Sequence, residues 1–171
     1  GSEMCIRDRS LVDRIDATAR RMGAINTIVV EADGSLSGYN NDGFGYIQSL
    51  RDAYPQWRAD AGPVLVMGAG GAARAVIVSL AEQGAKDIRI CNRTASSAHA
   101  LATEFTADFA QASDAAKGAV VTAVPWEKRH DAVADVMLLV NTTSQGMGSN
   151  PALDLSLDKL PKQALVSDIV Y

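Results

Sequence analysis

Apolar positions recur with helical spacing over residues 10–22, where Leu11, Ile15, Ala19 and Met22 fall on one face and Arg14, Asp16, Arg20 and Arg21 on the other. Gly23 ends that pattern. Residues 24–31 are rich in β-branched side chains and predict a strand, the Ala32-Asp33-Gly34-Ser35 stretch predicts a hairpin turn, and residues 36–39 return as a short strand. A second helical pattern covers residues 44–53, ending near Tyr54-Pro55, and residues 56–62 form a polar connection. Beyond it the apolar runs shorten and alternate with helical patterns. Strands are predicted at 63–67, 87–91, 119–123, 136–140 and 164–170, and helices at 71–83, 95–105 and 127–134. That alternation predicts an α/β fold, a Rossmann-like doubly wound parallel sheet, preceded by a remnant of a smaller α/β domain. The implied division is residues 1–41, a connecting helix and linker at 42–60, and a nucleotide-binding unit at 61–171.

The first strand of the second part breaks straight into Gly68-Ala69-Gly70-Gly71-Ala72-Ala73-Arg74, and an alanine-rich helix follows, with Gly84 placed as its C-terminal cap. Gly68, Gly70 and Ala73 match G-x-G-x-x-G/A. The first glycine permits a tight turn, the second lets backbone approach a pyrophosphate, and the small Ala73 lets helix and sheet pack closely. Free N–H groups and the positive dipole end at the helix start then favour an anion. The candidate cofactor contacts here are Gly68, Ala69, Gly70, Gly71 and Ala72; Arg74 reads as a surface helix residue.

The end of the next strand narrows the cofactor. An NAD site usually places Asp or Glu there for the ribose hydroxyls, whereas this chain has Asn92-Arg93-Thr94. No carboxylate repels a 2′-phosphate, and Arg93 can bind one through charge-assisted hydrogen bonds. Thr94 is placed to cap the following helix. NADP is the expected cofactor.

Charge and composition remove other classes. The 171 residues carry a net charge of −4 and show no basic stripe, so there is no footprint for nucleic acid. No apolar run approaches the ~18–20 residues that span a bilayer. Two cysteines, Cys5 and Cys91, are too few and too separate for a disulfide framework or a zinc site, so no metal is expected and the compartment is read as the cytoplasm.

Four separated motifs together resemble the shikimate dehydrogenase family: Gly23-Ala24-Ile25-Asn26-Thr27, Gly38-Tyr39-Asn40-Asn41-Asp42-Gly43, the glycine loop with Asn92-Arg93-Thr94, and Asn141-Thr142-Thr143-Ser144-Gln145-Gly146-Met147. The closing Asp168-Ile169-Val170-Tyr171 is similar to the family's stretch before its C-terminal helices. The resemblance implies reversible hydride transfer between NADP(H) and the 3-dehydroshikimate/shikimate pair, a step towards aromatic amino acids. It implies that Asn26 hydrogen-bonds substrate hydroxyls and that Asp42 binds substrate and works at the reacting oxygen. It also places Thr142, Gly146 and Met147 near the cofactor and Tyr171 on the substrate side. A ketone being reduced needs a proton at its oxygen as hydride arrives, and a lysine with a carboxylate neighbour can supply it.

The chain departs from the family in three places. Asn41 stands where the family usually has Thr. The family's catalytic lysine, in an N-V-T-x-P-x-K stretch, would fall near Cys5, yet there is no lysine before Lys86. Segments expected before and after, including those that hold the substrate carboxylate, are not in this sequence, so it reads as a middle piece of a longer enzyme. The alternatives are a quinate/shikimate dehydrogenase and a catalytically inactive NADP-binding fragment. An open sheet edge at residues 164–170 also leaves room for a homodimer.

Overall fold

The computed structural model describes residues 12–169. Two sheets form. The first has β1 (Arg14–Ile15), β3 (Leu36–Tyr39) and β2 (Thr27–Val30) in the order β1-β3-β2, with β1 parallel and β2 antiparallel to β3. The second holds β4 (Val64–Met67), β5 (Asp87–Cys91), β6 (Val120–Val124), β7 (Leu138–Asn141) and β8 (Leu165–Asp168), all parallel, in the order β6-β5-β4-β7-β8. This is a Rossmann-like order that reverses at β4. Every side chain of β4 is buried, as a central parallel strand covered on both faces requires. One large core joins β4, β5 and β7 to α2 (Asp42–Ala53), α3 (Gly71–Glu82) and α4 (Ala95–Ala110), and a smaller cluster around Leu65, Met67, Val133 and Val136 fills the other face.

The predicted helix over residues 10–22 is overturned in part. Among the described residues of that stretch only Ala17–Met22 is helical, as α1. The Asp13 and Asp16 N–H groups donate to the Leu36 and Gly38 carbonyls, so this backbone joins the ladder beside β3. The Asp16 carboxylate then caps α1 by accepting from the Thr18 and Ala19 N–H groups. Leu11 and Ser10 lie outside the described residues. The helix predicted at 95–105 runs on to Ala110, because Phe105 and Phe109 stack at 5.5 Å and are both buried.

The helix predicted at 127–134 does not form. A 3-10 turn, Trp126–Lys128, is followed by further turns bonded mostly from residue i+3 back to i. A segment this short is marginal as an α-helix, and packing of the buried Val133 and the partly buried Trp126 in the smaller cluster favours the tighter winding. No α-helix therefore lies between β6 and β7 or between β7 and β8.

Two half-buried arginines tie α1 to the larger sheet's helices. Arg21 meets Glu82 of α3 at 2.8 Å, Asp108 of α4 at 2.8 Å and Asp114 at 3.0 Å. Burial pushes the Glu82 carboxyl up, against the pull of Thr18 and Arg21. Arg74, expected as a surface helix residue, is largely covered: its Nε donates to the Met22 carbonyl and its guanidinium pairs with Glu104.

Cys91 is fully buried at the end of β5, and burial pushes its thiol up to about 11. At pH 8 only about one molecule in a thousand carries the thiolate, which is the reactive form. In a Cys5→Ser background, a disulfide reagent at pH 8 should label Cys91 at the rate of unfolding. Labelling of the native protein as fast as a free thiol would contradict this burial.

Candidate active site

The site is built where β4 and β7 end. Gly68 leaves β4 at a φ of +109°, a conformation that favours glycine, and its N–H donates to the Cys91 carbonyl at 2.9 Å. The Thr142 hydroxyl donates to the Met67 carbonyl at 2.7 Å and its backbone N–H donates to the same oxygen at 2.9 Å. A Cβ on Gly68 would sit 2.6 Å from the Thr142 Oγ1, so Thr142 and the glycine turn are fitted to one another. Gly70 is the N-cap of α3 and supplies no side chain to the helix's first N–H groups. Gly71 and Ala72 are exposed, Ala69 is half-buried, Ala73 is buried against the sheet, and the first turn carries no acidic residue.

At the end of β5 the Asn92 amide donates to the Thr94 carbonyl at 3.0 Å, closing a short turn. Thr94 occupies the N-cap of α4, yet its hydroxyl makes no capping bond. Arg93 is exposed, and among the described residues no carboxylate is bonded to it.

Asn26 and Asp42 come together although the hairpin of β2 and β3 separates them in sequence. The Asn26 amide donates to the Asp42 carboxylate at 2.7 Å. The Asn26 carbonyl oxygen accepts from the Asn41 backbone N–H at 3.1 Å and from the Thr27 hydroxyl at 3.0 Å. The Asn41 amide in turn donates to the Thr27 hydroxyl at 2.9 Å, which leaves that hydroxyl's proton for Asn26. Asn40 closes the cluster: buried, it accepts the Asp42 N–H at 3.0 Å and donates to the Ala24 carbonyl at 3.2 Å. Asn26 and Asp42 themselves are exposed, so the oriented groups face solvent.

The cluster lies beside the glycine loop's helix. Gly43, next to Asp42, packs so tightly that an added Cβ would be 3.0 Å from the Ser79 Cβ and 3.3 Å from the Ala75 carbonyl oxygen. Ala75 is about one helical turn from the start of α3.

After β7, Asn141 organises the next loop. Its amide donates to both Asp168 oxygens at 3.2 and 3.1 Å, while its carbonyl oxygen accepts from the Thr143 N–H and hydroxyl. Gly146 has a φ of +89°, and Met147 is 46% exposed. Tyr171 lies outside the described residues. Sequence reasoning did not single out Asn40, Thr27 or Asn141. Each lies inside a motif already noted, but its role depends on hydrogen bonds between strands.

Lys86, the first lysine in the chain, precedes β5 and donates to the Ala115 and Lys117 carbonyls, both at 2.7 Å. It stands at the opposite end of the parallel sheet from Gly68 and Asn92. Among the described residues no group of three or more His, Cys, Asp and Glu side chains is placed to hold a metal.

Residues 55–123 match the family described as shikimate / quinate 5-dehydrogenase. The NADP(+) shikimate dehydrogenase of Paramagnetospirillum magneticum is 44% identical over 161 residues, covering 94% of this chain and 54% of that protein. A quinate dehydrogenase from Corynebacterium glutamicum, solved in complex with NAD, superposes with a TM-score of 0.86 at 27% identity, covering 100% of this chain and 57% of the other. The Thermus thermophilus shikimate 5-dehydrogenase, solved with NADP(H) and shikimate, gives a TM-score of 0.77 at 32% identity, again over 100% of this chain and 57% of that one. The chain thus spans about half the length of the curated relatives it matches. By sequence along nearly its whole length, and by fold, it is related to the shikimate dehydrogenase family.

Proposed function

We propose that this chain carries the NADP(H) site and part of the substrate site of a shikimate dehydrogenase, which interconverts 3-dehydroshikimate and shikimate. The observation that carries the reading is the 2.7 Å bond between Asn26 and Asp42, held by an amide network beside a helix whose first turn is open to an anion. Residues 1–41 then belong to the substrate side, 42–60 connect, and 61–171 form the cofactor side.

The cofactor, when bound, supplies the hydride that reduces the ketone carbon, or accepts it in the reverse direction. The chain's own residues do the rest. The N–H groups at the start of α3 hold the pyrophosphate, while Arg93 with the uncommitted Thr94 hydroxyl holds the 2′-phosphate. Asn26 keeps its amide turned towards Asp42, because the Asn41 N–H and the Thr27 hydroxyl occupy its oxygen. That leaves one Asp42 oxygen to accept from a substrate hydroxyl. Thr142 and Met147 would contact the nicotinamide end of the cofactor, and Tyr171, outside the described residues, is assigned to substrate binding. Proton delivery to the ketone oxygen is the weak step: residues 1–85 contain no lysine, and Lys86 is tied at the far end of the sheet. Losing one proton-transfer group slows such a reaction by ~10²–10⁴-fold.

Titration should give tighter binding of NADPH than of NADH, and Arg93→Ala should weaken NADPH about tenfold while leaving NADH unchanged. Equal affinities in the unaltered chain would remove the role given to Arg93. With saturating shikimate, and with quinate as the second arm, NADP⁺ reduction should be slow and should vanish in Asp42→Ala. Turnover that survives this substitution would take Asp42 out of the reaction, and faster turnover with quinate would favour the quinate reading. Self-association across the open edge of β8 is expected to appear as a dimer in light scattering after size exclusion; a monomer at every concentration rules it out.

A further inference from the structure

The Arg74 guanidinium stands where three elements meet. Its Nε donates at 2.8 Å to the carbonyl of Met22, the last residue of α1. A carbonyl at a helix C-terminus has no acceptor role within its own helix, and a cation there is favoured by the dipole. The terminal nitrogens donate to both carboxylate oxygens of Glu104 on α4, and the guanidinium lies 5.0 Å from the centre of the Phe105 ring. Arg74 holds the Glu104 carboxyl below the usual range. On the far side, Gly23 has a φ of +74°, and an added Cβ would be 3.3 Å from the Arg74 Nη2.

Arg74 also belongs to the phosphate loop's helix. Its backbone N–H donates to the Gly70 carbonyl at 3.1 Å and so closes the first turn of α3. One residue is therefore bonded through its backbone to the glycine loop and through its side chain to the turn that leads into Asn26. That turn is bonded onward to the site: the Ala24 N–H donates to the Ala19 carbonyl, the Ala24 carbonyl accepts from Asn40, and the Asn26 N–H donates to the Tyr39 carbonyl. Bonded residues therefore run from the first turn of α3 through Met22 and Gly23 to the Asn26–Asp42 pair.

We propose that Arg74 is a positioning residue that couples the two ligand regions, so that a dinucleotide phosphate bound at the start of α3 raises affinity for a polyhydroxylated substrate at Asn26 and Asp42. This rests on the assignment of those two regions under the proposed function. An anion ligated by the first-turn N–H groups orders that turn. Arg74 rides on it, and the ordering cost at residues 23–26 is then already met when substrate arrives. By linkage, substrate tightens the dinucleotide by the same factor.

The test uses the full chain and Arg74→Met, which keeps an apolar stem against Phe105 but loses the donors. NADPH affinity is measured alone, and shikimate affinity with and without saturating NADPH. The unaltered chain should bind shikimate at least about fivefold tighter when NADPH is present. In Arg74→Met that ratio should fall to about one while NADPH affinity alone changes less than about threefold. A merely structural role would lower the melting temperature and weaken both ligands together without removing the ratio. A ratio that persists in Arg74→Met, or one of unity in the unaltered chain, overturns the proposal. Should the unaltered chain bind neither ligand, the proposed function fails, and amide hydrogen exchange decides the coupling separately. Arg74→Met should then speed exchange at residues 24–26 and 70–74 together, leaving β5 and β6 unchanged, and faster exchange in only one of the two stretches overturns it. If Arg74→Met does not fold, Glu104→Gln gives the same readouts, with a partial fall of the ratio expected and an unchanged ratio counting against the proposal.

Discussion

Burial of β4 on both faces is the constraint from which the rest of the structure follows. Val64, Leu65, Val66 and Met67 have no wet side, so the strand needs hydrogen-bonded neighbours on both edges and a layer over each face. Parallel neighbours require crossovers. The chain leaves β4 through α3 to β5 and through α4 to β6, then returns past β4 to lay down β7 and β8 on the other side. Because the order reverses at β4, the connections leaving β4 and β7 diverge and open a crevice at their C-terminal ends. Thr142 bonds to the Met67 carbonyl where the paired strands β4 and β7 end, and only a glycine at position 68 leaves room for it.

The small first sheet has no comparable core. α1 is only six residues long, below the length at which a helix holds itself together. Met22 anchors it in the large core, and the rest of its attachment is polar. Arg21 gathers Glu82, Asp108 and Asp114, and Arg74 takes Glu104 and the Met22 carbonyl. Exposed ion pairs contribute little, but both guanidinium groups are mostly covered, and each also lies over an aromatic ring of α4. Such ties are directional, which suits an element that must present Asn26 at a set place beside α3.

Around Asp42 the work of orientation falls to neutral amides. An asparagine offers donors on one side and an acceptor on the other, so each bond constrains the next. The Asn41 N–H fixes the Asn26 oxygen, which turns the Asn26 amide to Asp42, while Asn40 holds the Asp42 backbone from below. Asn41 reaches the Thr27 hydroxyl and so joins the network. Among the described residues a carboxylate is thereby aimed by neutral amides and is part of no ion pair.

Local chemistry alone determined much of this protein. The apolar run into Gly68 and Gly70, the alanine-rich helix after it and Gly84 at its end were legible because each rests on neighbouring residues: a strand with no polar position, a turn that needs glycine, a helix that needs a stop. The hairpin at Asp33 and Gly34 was legible for the same reason. Residues 10–22 and 127–134 were not. Their helical spacing is real, but β3 offers acceptors that draw Asp13 and Asp16 into a sheet, and packing of Val133 and the partly buried Trp126 accompanies tighter turns in the second segment. The site divides likewise. Sequence motifs named Asn26, Asp42 and the glycine loop, whereas the tertiary structure decided that Asn26 and Asp42 bond to each other, that Asn40, Asn41 and Thr27 orient them, and that Arg74 faces inwards. Periodicity and motif spacing act along the chain, while hydrogen-bond partners between strands and helices are chosen only once the core has brought those elements together.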